Sequence, residues 1–272
     1  MKEIDRPVIL NYWSDDPLEH METCGRTCYN SFDKKTKTSA EPFIDGLIKN
    51  GHLSVLEHCA VNINADGFVP QFDRLAEDSP EFGLLMSRAA LGSVRFSDMV
   101  KFDSRYKTAA DLKKLPRATD VITFLLSGIS RSFTHQLVRH RNLSFSQQSL
   151  RYVKLNEESF SYVNPFKGEA PKEFKEHMLS CIKLYEQLIK NGEKPDEARS
   201  VLPMCTATEI AVTGQASWWL EFFKLRYHPR ASKEMIRVAS RMYFLCPDPI
   251  KEKAKELGLE KQFKEADDVA EG

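Results

Sequence analysis

The sequence has no GxGxxG, no GxxxxGK[ST], no HExxH and no GxSxG. These absences remove the dinucleotide-binding glycine fingerprint, the phosphate-cradling P-loop, the zinc-protease helix and the hydrolase nucleophile elbow. Any anion must therefore be held by side chains rather than by a glycine loop. Six cysteines are present, at positions 24, 28, 59, 181, 205 and 246, but no CxxC and no His/Cys cluster at zinc spacing. No metal site is expected, and the cysteines read as reduced, mostly core thiols. No apolar run approaches the roughly 18 residues of a membrane span. The N-terminal MKEIDRPVILNYWSDD has no basic segment leading into an apolar core, so a cytoplasmic protein with no membrane partner is expected. Lys plus Arg equals Asp plus Glu, 39 each. That balance argues against a general nucleic-acid coat protein, which needs a much more basic surface.

One further absence points to function. From Arg131 to Lys154 there is no Asp or Glu, yet five Lys or Arg and two His are present. A neutral chain that concentrates cations without acidic partners is building an anion site. Arg139, His140, Arg141 and Arg151 supply charge, and Ser144, Ser146, Gln147, Gln148 and Ser149 supply uncharged donors. Gln136, Arg139 and His140 are spaced i, i+3, i+4 and can face one ligand.

Periodicity predicts strands at Val8–Tyr12, Cys59–Ala65, Val121–Leu126 (ended by Gly128) and Glu209–Thr213. Helices are expected at Leu18–Tyr29, Ala40–Asn50, Glu81–Leu91, Ser130–Val138, Pro171–Lys190, Pro195–Val201, Ser217–Tyr227, Ser232–Leu245 and Ile250–Leu257. GHLSVLEH (51–58) reads as a turn. The Ser-rich run after Arg141 reads as a loop folded over a ligand. Trp218, Trp219, Phe222 and Phe223 lie at helical spacing and read as core or subunit interface. The whole is an α/β (α+β) chain: a central sheet flanked by helices in a single domain over 1–260, then a polar tail, 261–272. Residues 66–119 read as an insertion peripheral to the chemistry.

Arg139-His140-Arg141, seven residues, then Ser149 forms an RHRx7S pattern. GISRSFTHQLVRHRNLSFSQQSLRYV (128–153), GHLSVLEH (51–58), EARSVLP (197–203) and FKLR (223–226) accompany it. In content and order these resemble the flavin-dependent thymidylate synthases, over about residues 20–65 and 120–245. The resemblance implies a homotetramer with sites between subunits. It implies conversion of dUMP to dTMP with FAD as cofactor, and methylenetetrahydrofolate and NADPH as co-substrates. It places Gln136, Arg139, Gln147, Gln148, Ser149, Leu150, Arg151 and Arg199 at dUMP, with Arg226 there as the catalytic residue. It places His52, Ser54, Glu57, Arg139, His140, Arg141, Ser146, Gln147, Gln215, Ser217 and Glu221 at the flavin. Gln215, Glu221 and Arg230 stand where that family usually has Asn, Asn and His; an Arg230–Glu221 pair is one expectation. Two other readings stay open: a flavoprotein of this fold acting on another nucleotide, and a non-enzymatic nucleotide- or RNA-binding module. A thiolate on Cys205 is the rival nucleophile to a flavin route.

Overall fold

The structure, a computed structural model, describes residues 1–62, 77, 79–82, 93–166 and 168–259. The expected helix beyond Phe82, the strand beyond Asn62 and the tail 261–272 lie outside the described residues. Eight strands are described: β1 (Lys2–Ile4), β2 (Val8–Tyr12), β3 (Ala60–Asn62), β4 (Ser93–Arg95), β5 (Val121–Ser130), β6 (Ser144–Gln147), β7 (Ser161–Val163) and β8 (Ala207–Gln215). The central sheet has the order β2-β5-β8-β6, antiparallel throughout, and β1-β7 and β3-β4 form separate pairs. Helices cover it, so the α/β (α+β) expectation holds. No helix among the described residues is long and apolar enough to cross a membrane.

Two predicted boundaries give way to tertiary pairing. β5 does not stop before Gly128 but runs through it to Ser130, with a register shift between Ser127 and Ile129 opposite β8. Gly128 adopts φ +75°, which an L side chain rarely tolerates, so the glycine permits the bulge instead of ending the strand. The Ser-rich run is likewise not a loop. Ser144–Gln147 is the edge strand β6, paired with Thr213–Ile210 of β8. Its inner face is polar. The Ser144 hydroxyl donates to Glu57 Oε2 (3.2 Å), and Ser146 shares a hydrogen bond with His58 Nε2 (2.9 Å). An alternating apolar pattern was absent because partners on other elements satisfy these hydroxyls.

Residues 94–115 of the segment expected to be peripheral to the chemistry are built into the core. Phe96, Met99, Val100, Phe102, Ala109 and Leu112 are buried in one cluster with Leu18, Met21, Ile44, Leu47, Val55 and Leu56. The helix Phe96–Phe102 lies directly after β4 and packs on the 3-10 helix Leu53–His58. A second cluster joins β5 and β8 to the helices Ala216–Arg226 and Lys233–Phe244; Trp219, Phe222 and Phe223 are fully buried there. The aromatic stripe is therefore core.

Candidate active site

The helix Arg131–Leu137 leaves β5 through a firm cap. Ser130 Oγ accepts from Phe133 N (2.9 Å), while the Ser130 N–H and hydroxyl donate to the two Glu234 oxygens (2.7 and 2.5 Å). This fixes where the chain emerges at Arg139-His140-Arg141. Opposite it ends the helix Ala216–Arg226. Arg226 Nε donates to His140 Nε2 (2.7 Å) and Nη2 donates to the Gln136 carbonyl (3.2 Å). The guanidinium is thus locked in a plane by two acceptors, one of them a helix-end carbonyl. Because His140 Nε2 accepts, its proton resides on Nδ1. Burial, then the Arg226 charge, lowers the His140 pKa to about 4, so the ring is neutral near pH 7. Phe222 meets the His140 ring edge-on at 5.0 Å. Arg226 is itself pulled below the usual arginine value by burial and by the charge of Arg139. Gln136 joins this cluster through its carbonyl, while its Nε2 donates to Ser232 Oγ (3.5 Å), and Arg139 is near enough for its charge to act on Arg226.

A second cluster gathers Arg131, Arg151 and Arg199. Asp196 Oδ1 accepts from Arg199 Nη2 (2.6 Å) and lies 3.4 Å from Arg151 Nε. Two guanidinium groups thus converge on one carboxylate, a geometry suited to an oxyanion. Arg131 Nη2 donates to the Gln148 carbonyl (3.0 Å), and its Nε is buried without a partner. Burial, then the Arg199 charge, lowers the Arg131 pKa to about 10. Arg131 was not singled out in the sequence. Its only signal was membership of the acid-free stretch. Ser149 is anchored by its N–H to the Cys28 carbonyl (2.9 Å), and Gln147 Nε2 donates to Thr134 and Thr208 (3.2 and 3.4 Å). Leu150 is only 3% exposed, so what it can offer a ligand is its main chain.

A cavity of about 600 Å³ is lined by Cys28, Tyr29, His52, Ser54, Glu57 and Tyr152, and by Ser97, Asp98 and Lys101 of the supposedly peripheral segment. That volume lies within the roughly 300–1,000 Å³ usual for small-ligand sites. Glu57 is already engaged: Arg95 Nη1 pairs with its Oε2, and Arg95 Nη2 donates to the Asn142 carbonyl (2.8 Å), just past the RHR triplet. Ser146 and Gln215, expected at the flavin, are turned inward. Ser146 bonds His58, and Gln215 Nε2 donates to Ser93 Oγ at 2.6 Å, both in buried surroundings. The longer amide of Gln215 is thus used by β4. Ser217 and Glu221 are exposed, and among the described residues Glu221 and Arg230 form no ion pair. Arg139, His140, Arg141, Ser217 and Glu221, also expected at the flavin, do not line this cavity.

No group of three or more His, Cys, Asp or Glu able to hold a metal occurs among the described residues. All six cysteines are free. Cys205 donates to the Met178 sulfur (3.4 Å), and burial pushes its pKa up to about 11, which leaves almost no thiolate near pH 7.

The chain matches the family described as thymidylate synthase complementing protein, over residues 8–70 and 116–248. It is 40% identical over 126 residues to a flavin-dependent thymidylate synthase of Pyrococcus abyssi (strain GE5 / Orsay), covering 44% of this chain and 52% of that one. It is 37% identical over 150 residues to a flavin-dependent thymidylate synthase of Geobacter sulfurreducens, covering 54% and 64% respectively. The chain thus spans about half to two thirds of the length of these curated relatives. A solved structure of Helicobacter pylori thymidylate synthase X with FAD and dUMP superimposes with a TM-score of 0.42 at 18% identity, covering 89% of this chain and 94% of that one.

Proposed function

The chain belongs to the thymidylate synthase complementing protein family, the flavin-dependent thymidylate synthases, and from that premise we propose that it converts dUMP to dTMP. The carbon comes from methylenetetrahydrofolate and the two electrons that reduce it to a methyl group come from NADPH. FAD, when bound, supplies the hydride chemistry that no side chain can.

The observation that carries this reading is the placing of Arg226, fixed by His140 and Gln136, at the end of the helix Arg131–Leu137 within the acid-free segment. A cation held in one plane at the uracil edge favours negative charge on the ring at N3 and O4. Preorganised electrostatic help of this kind costs no reorganisation during reaction. The dUMP phosphate takes the position of the Asp196 carboxylate between Arg151 and Arg199, with Arg131 behind them. Ser149 and the main chain from Gln147 to Arg151 complete the donors. The cavity walled by His52 and Ser54 suits part of a flavin dinucleotide, with its Tyr29 and Tyr152 rings, hydroxyls and a lysine.

Completion of the site comes from a homotetramer. The RHR triplet, with Arg139 and Arg141 exposed, does not line the His52–Glu57 cavity, and a neighbouring copy can complete a site that uses both. Exposed apolar side chains flank the site residues in sequence: Leu225 before Arg226 and Tyr152 after Arg151. A cytoplasmic setting suits six free thiols. Against an RNA-tracking module stands the fate of the Ser-rich run, whose alternate side chains are buried in the sheet instead of offered to a phosphate chain.

The test is the visible spectrum of protein reconstituted with FAD, before and after adding dUMP. Bound flavin at micromolar concentrations (roughly 8 kcal/mol) with a dUMP-dependent shift is expected. Absence of bound flavin defeats the proposal, and bound flavin blind to dUMP assigns the fold to another nucleotide.

A further inference from the structure

The segment between β3 and β5 carries a cation with no assigned task. Lys101 lines the cavity with His52 and Ser54. Its ammonium rests 4.5 Å from the centre of the Phe102 ring, and it makes no ion pair among the described residues. Its backbone is held firmly. Phe96, Met99, Val100 and Phe102 of the same helix are buried against Val55 and Leu56, and Phe96 N donates to the Cys59 carbonyl (2.9 Å). Arg95, one residue before the helix, ties it to Glu57 and to the turn after the RHR triplet. That pair also neutralises Glu57, one of the two carboxylates, with Asp98, that line the cavity beside Lys101.

We propose that Lys101, helped by the hydroxyls of Ser97 and Ser54, binds the phosphates of the flavin dinucleotide, making the supposed insertion part of the cofactor site. The inference rests on the functional reading above. Within that reading the dUMP phosphate already has Arg151 and Arg199, and of the remaining anions the diphosphate that joins the two aromatic halves of FAD is the one that lies beside aromatic groups, as Lys101 lies beside Tyr29 and Tyr152 in this cavity. Tyr29 and Tyr152, 5.3 Å apart, give an aromatic half a surface beside it. An ammonium on a solvent-reachable arm is a point charge suited to a phosphate without fixed geometry.

The test measures binding of FAD and of riboflavin, which has no phosphate, to full-length wild type and to Lys101→Met and Lys101→Arg, by flavin fluorescence across a salt series. Circular dichroism confirms the fold of each variant, which an exposed position should preserve. Lys101→Met is expected to weaken FAD about tenfold, to change riboflavin less than twofold and to flatten the salt dependence of FAD binding; Lys101→Arg should retain most of the affinity. Equal loss for FAD and riboflavin, or no loss for FAD, overturns the assignment, including the case in which only folate binding weakens. Wild type that binds no FAD at all sinks the functional reading itself, an outcome distinct from wild type that binds FAD while Lys101→Met binds it equally well.

Discussion

Replacing Arg226 with alanine should lower the rate at which dUMP and methylenetetrahydrofolate oxidise the reduced flavin by about 10²–10³-fold, the usual cost of one preorganised donor, roughly 3–4 kcal/mol. Arg226→Lys should recover only part of that loss. A lysine keeps the charge but cannot bond His140 Nε2 and the Gln136 carbonyl together, and the planar fork is what sets the direction of the cation. The same substitution has a second readout. Arg226 is a cause of the depressed His140 pKa, although burial is the larger one. In Arg226→Ala, His140 should titrate higher than its present value of about 4 when followed by NMR. Near-wild-type turnover in a folded, flavin-loaded Arg226→Ala protein would remove this residue from the chemistry. An unmoved His140 titration would contradict the contact described.

Acid should destabilise the protein well above the carboxylate range. His58 and His20 are fully buried, in a chain of hydrogen bonds that runs Ser146–His58–Thr213–Thr123–His20. Burial first, then the charge of Arg95, lowers the His58 pKa to about 3; burial, then Arg117 and His58, lowers that of His20 to about 2. Unfolded histidine takes up its proton near pH 6.5. Below that pH the unfolded state binds protons that the folded state refuses, so stability falls as pH falls. The slope is about 1.4 kcal/mol per pH unit for each histidine, or roughly 2.7 for the pair, against a typical total of roughly 5–15. The contribution is fully present above about pH 6.5 and is lost progressively toward about pH 3. Urea unfolding at a series of pH values should show the midpoint dropping steeply below pH 6.5, with roughly 5 kcal/mol of stability lost by about pH 4.5. His58→Gln should halve the slope whatever it does to the absolute stability. Stability that stays flat between pH 7 and 5 would contradict a neutral buried pair.

Most of the described helices and the two long strands of the sheet were legible in the sequence because they carry strong local signals. Val8–Tyr12 was found to the residue. Ser130 and Ser232 announce helix starts, and both cap them, accepting from Phe133 N and Met235 N. Missed features depend on contacts distant in sequence. β6 looks like a loop because its inward hydroxyls are satisfied by Glu57 and His58, some 88 residues away in the latter case. The segment around Phe96–Phe102 looks peripheral because charges and prolines surround it, yet its four buried apolar residues complete a core begun by the first two helices. At the site, residue types were legible and directions were not. Arg139, Arg151, Arg199 and Arg226, all expected at one nucleotide, fall in two clusters, Arg139 with Arg226 and Arg151 with Arg199. Gln215 and Ser146 have the right chemistry for a ligand but spend it on Ser93 and His58. Arg131 could be recognised only from its unpartnered, buried Nε next to Arg199.

Reductive methylation of dUMP at a flavin site shaped by Arg226 and the arginine clamp can be followed in an anaerobic single turnover: the enzyme with FAD reduced by NADPH is mixed with dUMP and methylenetetrahydrofolate, and the nucleotide is analysed by mass spectrometry while flavin absorbance is followed. One dTMP should form per flavin reoxidised, only when both substrates are present. Flavin that stays reduced, or reoxidises without dTMP, would contradict it.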